Sequence, residues 1–496
     1  MELKNKNILV LGLGDTGLSL ARRLVLRGAR VTVADSRVAP PHVERLRAEL
    51  PDVVLVTGPY RPEEFIAAEI IAISPGVPLA EPLVATAIAR GVPVVGDIEL
   101  FARQIRGQKT EDRRQKNHLE VCPLSSVLCP LVIAITGSNG KSTVTEMVGA
   151  MCRKAGLNTV VAGNIGLPVL DALTAAERDG SAPDVYVLEL SSFQLETTSS
   201  LNPTAATVLN VTEDHLDRYS GMTDYAAAKA RIFAGSGAQV LNRQDAWSSG
   251  MAAAGRNIVT FGLDAPRNDH EWGLRQIDGA TWLARGAENL MALRELPLAG
   301  LHNAANALAA LALCDMAGLA TQPLLAALRE FQGLPHRVAK VAEINGVTYY
   351  DDSKGTNVGA TVAGIRGQKT EDRGQKTVLI AGGDGKGQDF SPLRAAVESC
   401  ARAVILIGRD APKIEAALLG CGVPLLNSAT LEQAVTLAAE QAQPGDAVLL
   451  SPACASWDMF RNYEHRAEVF IAAVQQLSED KRQNANGETS SAKSVL

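Results

Sequence analysis

Aromatic residues are scarce, at 4% of the 496 residues, so the cores have to be built mainly from Ala, Val, Leu and Ile. The seven cysteines, at 122, 129, 152, 314, 400, 421 and 454, include no CxxC pair and no Cys/His cluster at zinc spacing. That pattern excludes a zinc module or a disulfide scaffold and fits free thiols in a reducing cytosol. Excess positive charge is missing too. The formal charge is −6, which gives no general attraction to nucleic acid or to an anionic membrane. No leader pattern precedes the first strand, since "MELKNKNILV" runs straight into it. Long hydrophobic runs are also lacking. Val121–Gly140 carries two prolines, and His302–Cys314 is too short to span a bilayer. The expectation is a cytoplasmic, soluble protein, monomeric, with neither nucleic-acid nor membrane partners.

What is present is alternation. Runs of Val, Ile and Leu alternate with Ala-rich helical stretches along nearly the whole chain, the pattern of βαβ units and parallel sheets. Three series stand out. The first, residues 1–105, holds "NILVLGLG", "RVTVADS", "VVLVTG", "IIAISPG" and "PVVGDIEL". The second, 131–333, holds "LVIAITGSNG", "DVYVLELSSF", "ATVLNVTEDH" and "AQVLNRQD". The third, 334–477, holds "TYYDDS", "TVLIAGGDG", "AVILIG" and "AVLLSPA". Residues 106–130 read as an inserted loop, and the polar tail 478–496 as disordered. The nonapeptide "IRGQKTEDR" occurs at 105–113 and again at 365–373. Its charge suits an exposed loop, and a surface insertion costs stability only logarithmically in its length.

Two loops carry phosphate-type chemistry. Gly12-x-Gly14-x-x-Gly17 follows the first strand, and Asp35 lies about twenty positions on, the dinucleotide fingerprint. The second is Gly137-Ser138-Asn139-Gly140-Lys141-Ser142-Thr143 after "IAIT". Glycines there let backbone N–H groups face phosphate oxygens at a helix N-terminus. Lys141 suits the β- and γ-phosphates and Ser142 suits Mg²⁺. The full GxxxxGK[ST] pattern is not met, because Ile135 stands at its first glycine. Glu189 closes a buried strand, where a carboxylate needs a partner. "NVTEDHLDRY" adds Glu213, Asp214, His215 and Asp217, in a segment that reads equally well as a solvated loop.

Taken together, "TGSNGKST", "ELSSFQLE", "NVTEDHLDRY", "YAAAKARI", "HNAANALAA", "HRVAKV", "DDSKGTN" and "GGDGKG" resemble the Mur ligase family. These are the ATP-dependent ligases that build the peptidoglycan stem peptide of the cell wall. The marks occur in the family's order over nearly the whole chain outside the insert and tail. "GLGDTGLS", "SPG" at 74–76 and "LSPACASWDMF" resemble the member that joins D-glutamate to UDP-N-acetylmuramoyl-L-alanine.

The resemblance implies an α/β protein of three domains: Rossmann-like N-terminal, P-loop ATP-binding central and Rossmann-like C-terminal. It assigns the first loop to UDP rather than NAD, with Gly14, Asp15, Thr16, Asp35, Ser36, Arg37, Ser74, Gly76, Asn164 and His215 around the UDP substrate. Asp15 is odd beside a diphosphate and would point away or contact through water. ATP would meet Gly137 to Thr143, Asn303, Asn306, Arg337 and Asp352. Mg²⁺ would meet Ser142, Glu189, His215 and Lys229, with Lys229 carbamoylated by CO₂. Without the resemblance, Lys229 reads as a helix-surface lysine. Lys141, His215 and Lys229 would carry catalysis. D-Glutamate would meet Lys354, Thr356, Lys386, Ser456 and Tyr463, the last a departure where other members carry Phe. Three rivals remain open: a nicotinamide oxidoreductase, a related or folylpolyglutamate-type ligase, and a non-catalytic nucleotide-binding regulator.

Overall fold

The computed structural model describes residues 2–105, 130–298, 300–367 and 375–491, with side chains to 479. These fall into two compact units. One takes in 1–211, 223–295 and 305–330, and the other 212–222, 296–304 and 331–496.

The first unit holds two sheets. Strands Asn7–Leu11, Arg30–Asp35, Val54–Thr57, Ile70–Ile73 and Val94–Val95 pair in the order third, second, first, fourth, fifth, all parallel. Helices on both faces require apolar residues at consecutive positions, and Ile70–Ile73 is buried throughout. The strand order reverses between the first and fourth strands. Beyond their carboxyl ends lies the crevice where such sheets take ligands, and Gly12 and Ser74 sit there.

The second sheet has nine strands. From one edge they run Glu288–Ala292, Ala280–Arg285, Glu271–Ile277, Ile258–Phe261, Ala238–Asn242, Ala205–Val208, Leu131–Thr136, Val185–Glu189 and Thr159–Gly163. The pairings among 271–292 are antiparallel and the others parallel. Leu131–Thr136 sits between Ala205–Val208 and Val185–Glu189, so its loop emerges at this sheet's switch point. Arg23 ties the two sheets' layers together. Its fully buried guanidinium forks onto Glu177 at 2.6 and 2.8 Å, reaches Thr174 Oγ1 at 3.1 Å and also bonds Gln104.

The second unit holds a six-stranded sheet ordered Ala339–Ile344, Val347–Asp351, Ala447–Leu450, Thr377–Gly382, Ala401–Ile407 and Leu425–Asn427. Only the first pair is antiparallel. Two apolar layers cover it, one around Leu379, Val404 and Leu393 and the other around Ile380, Ile405 and Phe470.

Three α/β sheets in chain order agree with the fold class expected from the alternation. The tail differs. The last helix is Tyr463–Ser491, so 478–491 is helical rather than disordered. The buried positions Ala467, Phe470 and Val474 anchor one face, and extending an anchored helix avoids the cost of a new nucleus. The insert falls at 106–129, outside the described residues. So does most of each nonapeptide copy, although Ile105 and Ile365, their first residues, are buried. Of the seven cysteines, 152, 314, 400, 421 and 454 are free and buried, and the other two lie outside the described residues.

Candidate active site

The first glycine loop is shaped by close approach. Gly12 has φ +85°, and a Cβ on Gly17 would come 1.8 Å from Gly12 O. Ser74 Oγ donates to that same carbonyl at 3.3 Å. Gly14 differs: a Cβ there would meet nothing within 4 Å, so it borders open space at the start of helix Asp15–Leu26. Asp35 is 2% exposed. Burial alone would raise its pKa, but the Arg37 side chain and the Leu13 and Arg37 amides hold it below the ordinary value. Arg37 Nη2 lies 2.7 Å from Oδ2, and Leu13 N donates to Oδ2 at 2.7 Å. Asp35 thus braces the loop through Leu13. Asp15 points away: it is 80% exposed and bonds His42 Nε2 at 2.8 Å. Ser36 and Gly76 are exposed and Thr16 half-buried on the same rim.

The second loop leads from Thr136 into helix Lys141–Lys154, whose N-cap Gly140 is left-handed at φ +83° and makes no side-chain cap bond. Ser142 and Thr143 in the first turn are buried. Asn210, overlooked in the sequence, clips the loop. Its Oδ1 accepts from Asn139 N at 2.8 Å, its Nδ2 donates to Asn139 O at 3.0 Å, and its carbonyl accepts from Ser138 N at 2.9 Å. Ser138 Oγ also bonds Tyr225 at 3.2 Å. Asn306 Oδ1 lies so near Gly140 that a Cβ there would sit 2.6 Å away. Two ammonium groups converge on one carbonyl. Lys141 Nζ and Lys229 Nζ donate to Gly137 O at 2.9 and 2.8 Å, and Lys141 also bonds Ser138 O at 2.9 Å. Lys229 is 1% exposed and stands 4.5 Å over the Tyr225 ring, so the surface-lysine reading fails. The Lys141 ammonium at the helix N-terminus focuses positive potential where a polyphosphate would lie.

Glu189, 2% exposed, ends its strand behind this loop. Asn164 Nδ2 donates to its Oε1 at 2.8 Å, while Oε2 is buried with no protein partner. The turn after it is rigid because "SSFQ" forms a capping box, with Ser191 and Gln194 bonded reciprocally at 3.1 Å. Gln194 also donates to the buried Asp97 at 3.2 Å. Burial pushes the Asp97 carboxyl up to about 6. Among the described residues no three His, Cys, Asp or Glu side chains form a metal cluster. A lone buried carboxylate oxygen still suits Mg²⁺, which takes one or two carboxylates and fills its octahedron with water and phosphate oxygens.

The remaining candidates belong to the second unit. His215, at φ +57°, has Nε2 3.6 Å from Asp214 Oδ2. Lys386 holds the same carboxylate at 2.6 Å, through Oδ1. Lys354 Nζ lies 3.8 Å over the Tyr463 ring, a cation–π contact that parks the ammonium. Thr356 N donates to Lys354 O at 2.9 Å, tightening that turn. Ser456 is 3% exposed. Asp352 is buried beside Ser451, whose hydroxyl donates at 2.6 Å, and burial pushes its carboxyl up to about 7. Its neighbour Asp351 bonds His336 Nδ1 at 2.6 Å. Asn303 opens helix Leu301–Met316, one turn before Asn306, and Arg337 is half-buried. Backbone strain concentrates here. Leaving aside Asn and Asp, the non-glycine residues at positive φ among those described are His215, His336, Val338, Lys386 and Ala453, all in this unit. Sequence reasoning also overlooked Gln388. It accepts from Val358 N at 2.9 Å and donates to Ala453 O at 2.7 Å.

Parallel sheets with phosphate-type loops at their switch points define a nucleotide-binding α/β protein with an added α/β unit. Three family models align in chain order: Mur ligase MurD-like, N-terminal domain, over 6–96; Mur ligase middle domain over 135–314; and Mur ligase, glutamate ligase domain, over 336–454. The chain is similar to the UDP-N-acetylmuramoylalanine--D-glutamate ligase of Thiobacillus denitrificans, at 58% identity over 97% of this chain and 99% of that protein. The enzyme of the same name from Methylobacillus flagellatus is 58% identical over 96% and 98%. Among solved structures, the UDP-N-acetylmuramate-alanine ligase from Thermotoga maritima shares the fold, with a TM-score of 0.55 at 18% identity over 95% of this chain and all of that one. The chain belongs to the Mur ligase family. No described helix is long and apolar enough to cross a membrane.

Proposed function

We infer that this chain is an ATP-dependent ligase that joins D-glutamate to UDP-N-acetylmuramoyl-L-alanine, a step in making peptidoglycan precursors. The observation that carries the reading is that one sheet holds both Lys141, at the N-terminus of helix Lys141–Lys154, and a buried Glu189 oxygen with no protein partner, in a chain 58% identical to ligases of that name. The nicotinamide reading explains only the first loop and leaves the second loop and the buried Glu189 oxygen without a use.

The γ-phosphoryl group of ATP passes to a carboxylate oxygen of the UDP substrate, and ADP leaves. The D-glutamate nitrogen then attacks the acyl carbon, the C–O bond to phosphate breaks, and an amide forms. Positioning and charge neutralisation supply the rate. Gly12, Gly14 and Gly17 bring backbone against the UDP diphosphate, with Thr16, Asp35, Ser36, Arg37, Ser74 and Gly76 around it. Gly137–Thr143 and Asn306 hold ATP, and Lys141 draws in its terminal phosphates. In the second unit Asn303, Arg337 and Asp352 serve the nucleotide, His215 the metal and acceptor carboxylate, and Lys354, Thr356, Lys386, Ser456 and Tyr463 the D-glutamate. Asn164 orients Glu189. Ser142 and Glu189 would hold Mg²⁺, which would supply neutralisation of the phosphate charge. Lys229 carries a carbamate. That would turn a buried cation into an anion able to attract a metal cation, and would keep one N–H for Gly137 O. Activity should therefore fall in CO₂-free buffer and return with bicarbonate; indifference to both removes the carbamate.

The protein works as a monomer in the cytoplasm. Phosphate release with Mg-ATP, UDP-N-acetylmuramoyl-L-alanine and single amino acids tests the function. Release with D-glutamate, but not with L-glutamate, L-alanine, L-lysine or meso-diaminopimelate, is expected. Release with another amino acid alone reassigns the acceptor.

A further inference from the structure

Arg466 is a fully buried cation with an unusual set of partners. It lies on helix Tyr463–Ser491 at 0% exposure. Among the described residues it forms no salt bridge. Instead Nη2 donates to Ser353 O at 2.8 Å and Nη1 to Cys454 O at 3.2 Å, while Nε is buried without a partner. Burial pushes its pKa down to about 10. A guanidinium kept in such a place is costly, and apolar residues of like volume often replace buried charges at no loss. Its presence in that place points to a role beyond packing.

The two carbonyls supply one. Ser353 begins the turn that carries Lys354 and Thr356. Cys454 lies two residues before Ser456. The two turns meet directly at one further bond, Ala453 N to Gly355 O at 2.9 Å, and Ala453 is held at φ +57°, which an alanine seldom adopts. Gln388 steadies the same residue through its carbonyl at 2.7 Å. A planar fork spanning two backbone oxygens sets their separation in a way a flexible ammonium does not. We propose that Arg466 is a positioning residue that fixes the Ser353–Thr356 turn against the Cys454–Ser456 turn and so sets the affinity for the amino-acid substrate. This rests on the reading that D-glutamate binds at Lys354, Thr356 and Ser456.

The test uses Arg466→Met and Arg466→Lys in the full chain. Amide hydrogen exchange is read first, since it needs no activity. Faster exchange confined to 353–357 and 453–457 in both variants is expected. Exchange unchanged there, or raised throughout the unit, overturns the proposal. Steady-state kinetics follow. KM for D-glutamate should rise by about tenfold or more while KM for ATP and for the UDP substrate stays within about twofold. Arg466→Lys keeps the charge but loses the fork, so its D-glutamate KM should resemble that of Arg466→Met. A full return to the native KM with Lys overturns the positioning role in favour of charge alone. Parallel rises in all three KM values overturn it in favour of general loosening. Native protein that shows no D-glutamate-dependent turnover would sink the proposed function, yet would leave the exchange result to be judged by itself.

Discussion

At the scale of single residues, Gly14 and Gly17 separate two demands met by one loop. Gly17 packs its α-carbon against Gly12 O, so any side chain collides with backbone. Gly14 faces open space and is free of that constraint. Gly17→Ala should destabilise the fold by about 1–3 kcal/mol. Gly14→Ala should leave the melting temperature unchanged while weakening UDP binding, because the added methyl occupies the approach to the diphosphate. Thermal melts and calorimetry with UDP check both, and equal melting temperatures for the two variants would contradict the distinction.

At the scale of elements, the second loop depends on a neighbouring strand end. Asn210 closes three hydrogen bonds onto Ser138 and Asn139, two of them through its side chain. Asn210→Ala should cost about 1–2 kcal/mol of stability and weaken binding of a non-hydrolysable ATP analogue about tenfold. An unchanged affinity would mean that the loop holds its shape alone. Asn210 shows where the sequence stops being readable. It stands in "VLNVTEDH" three residues before the acidic group, and nothing local marks it as a partner of a loop some seventy positions upstream. Parallel strands were legible because burial on both faces forces unbroken apolar runs, as at Ile70–Ile73. The strands Glu271–Ile277 and Ala280–Arg285 were not, because charged and polar residues interrupt them and their pairing is settled by neighbours. Glu189 was legible as a charge inside an apolar run, though its single free oxygen needed coordinates. Lys229 read as a surface lysine on local pattern alone, since helix Met222–Ala230 is polar enough to look solvated; tertiary packing buries it.

At the scale of the whole molecule, pH enters through carboxyls that burial treats differently. Some paired ones, such as Asp35 and Glu177, sit below their ordinary values, so their stabilisation is lost as pH falls through the folded pKa. Asp352 is opposite. Its folded value near 7 exceeds the unfolded value of about 3.9, so the folded state binds more protons between the two. Stability from this group is present at low pH and is lost as pH rises from about 4 to 7. Asp352→Asn removes that loss, so its melting temperature relative to the native protein should climb from pH 5 to pH 8. A constant difference would refute the raised value.

The central claim is that ATP activates a carboxylate and that D-glutamate receives it. The most direct measurement supplies UDP-N-acetylmuramoyl-L-alanine labelled with ¹⁸O in its carboxylate, together with Mg-ATP and D-glutamate, and weighs both products by mass spectrometry. The account predicts one ¹⁸O in the released phosphate and a UDP product heavier by one glutamyl residue. Unlabelled phosphate, or phosphate without the conjugate, would contradict it.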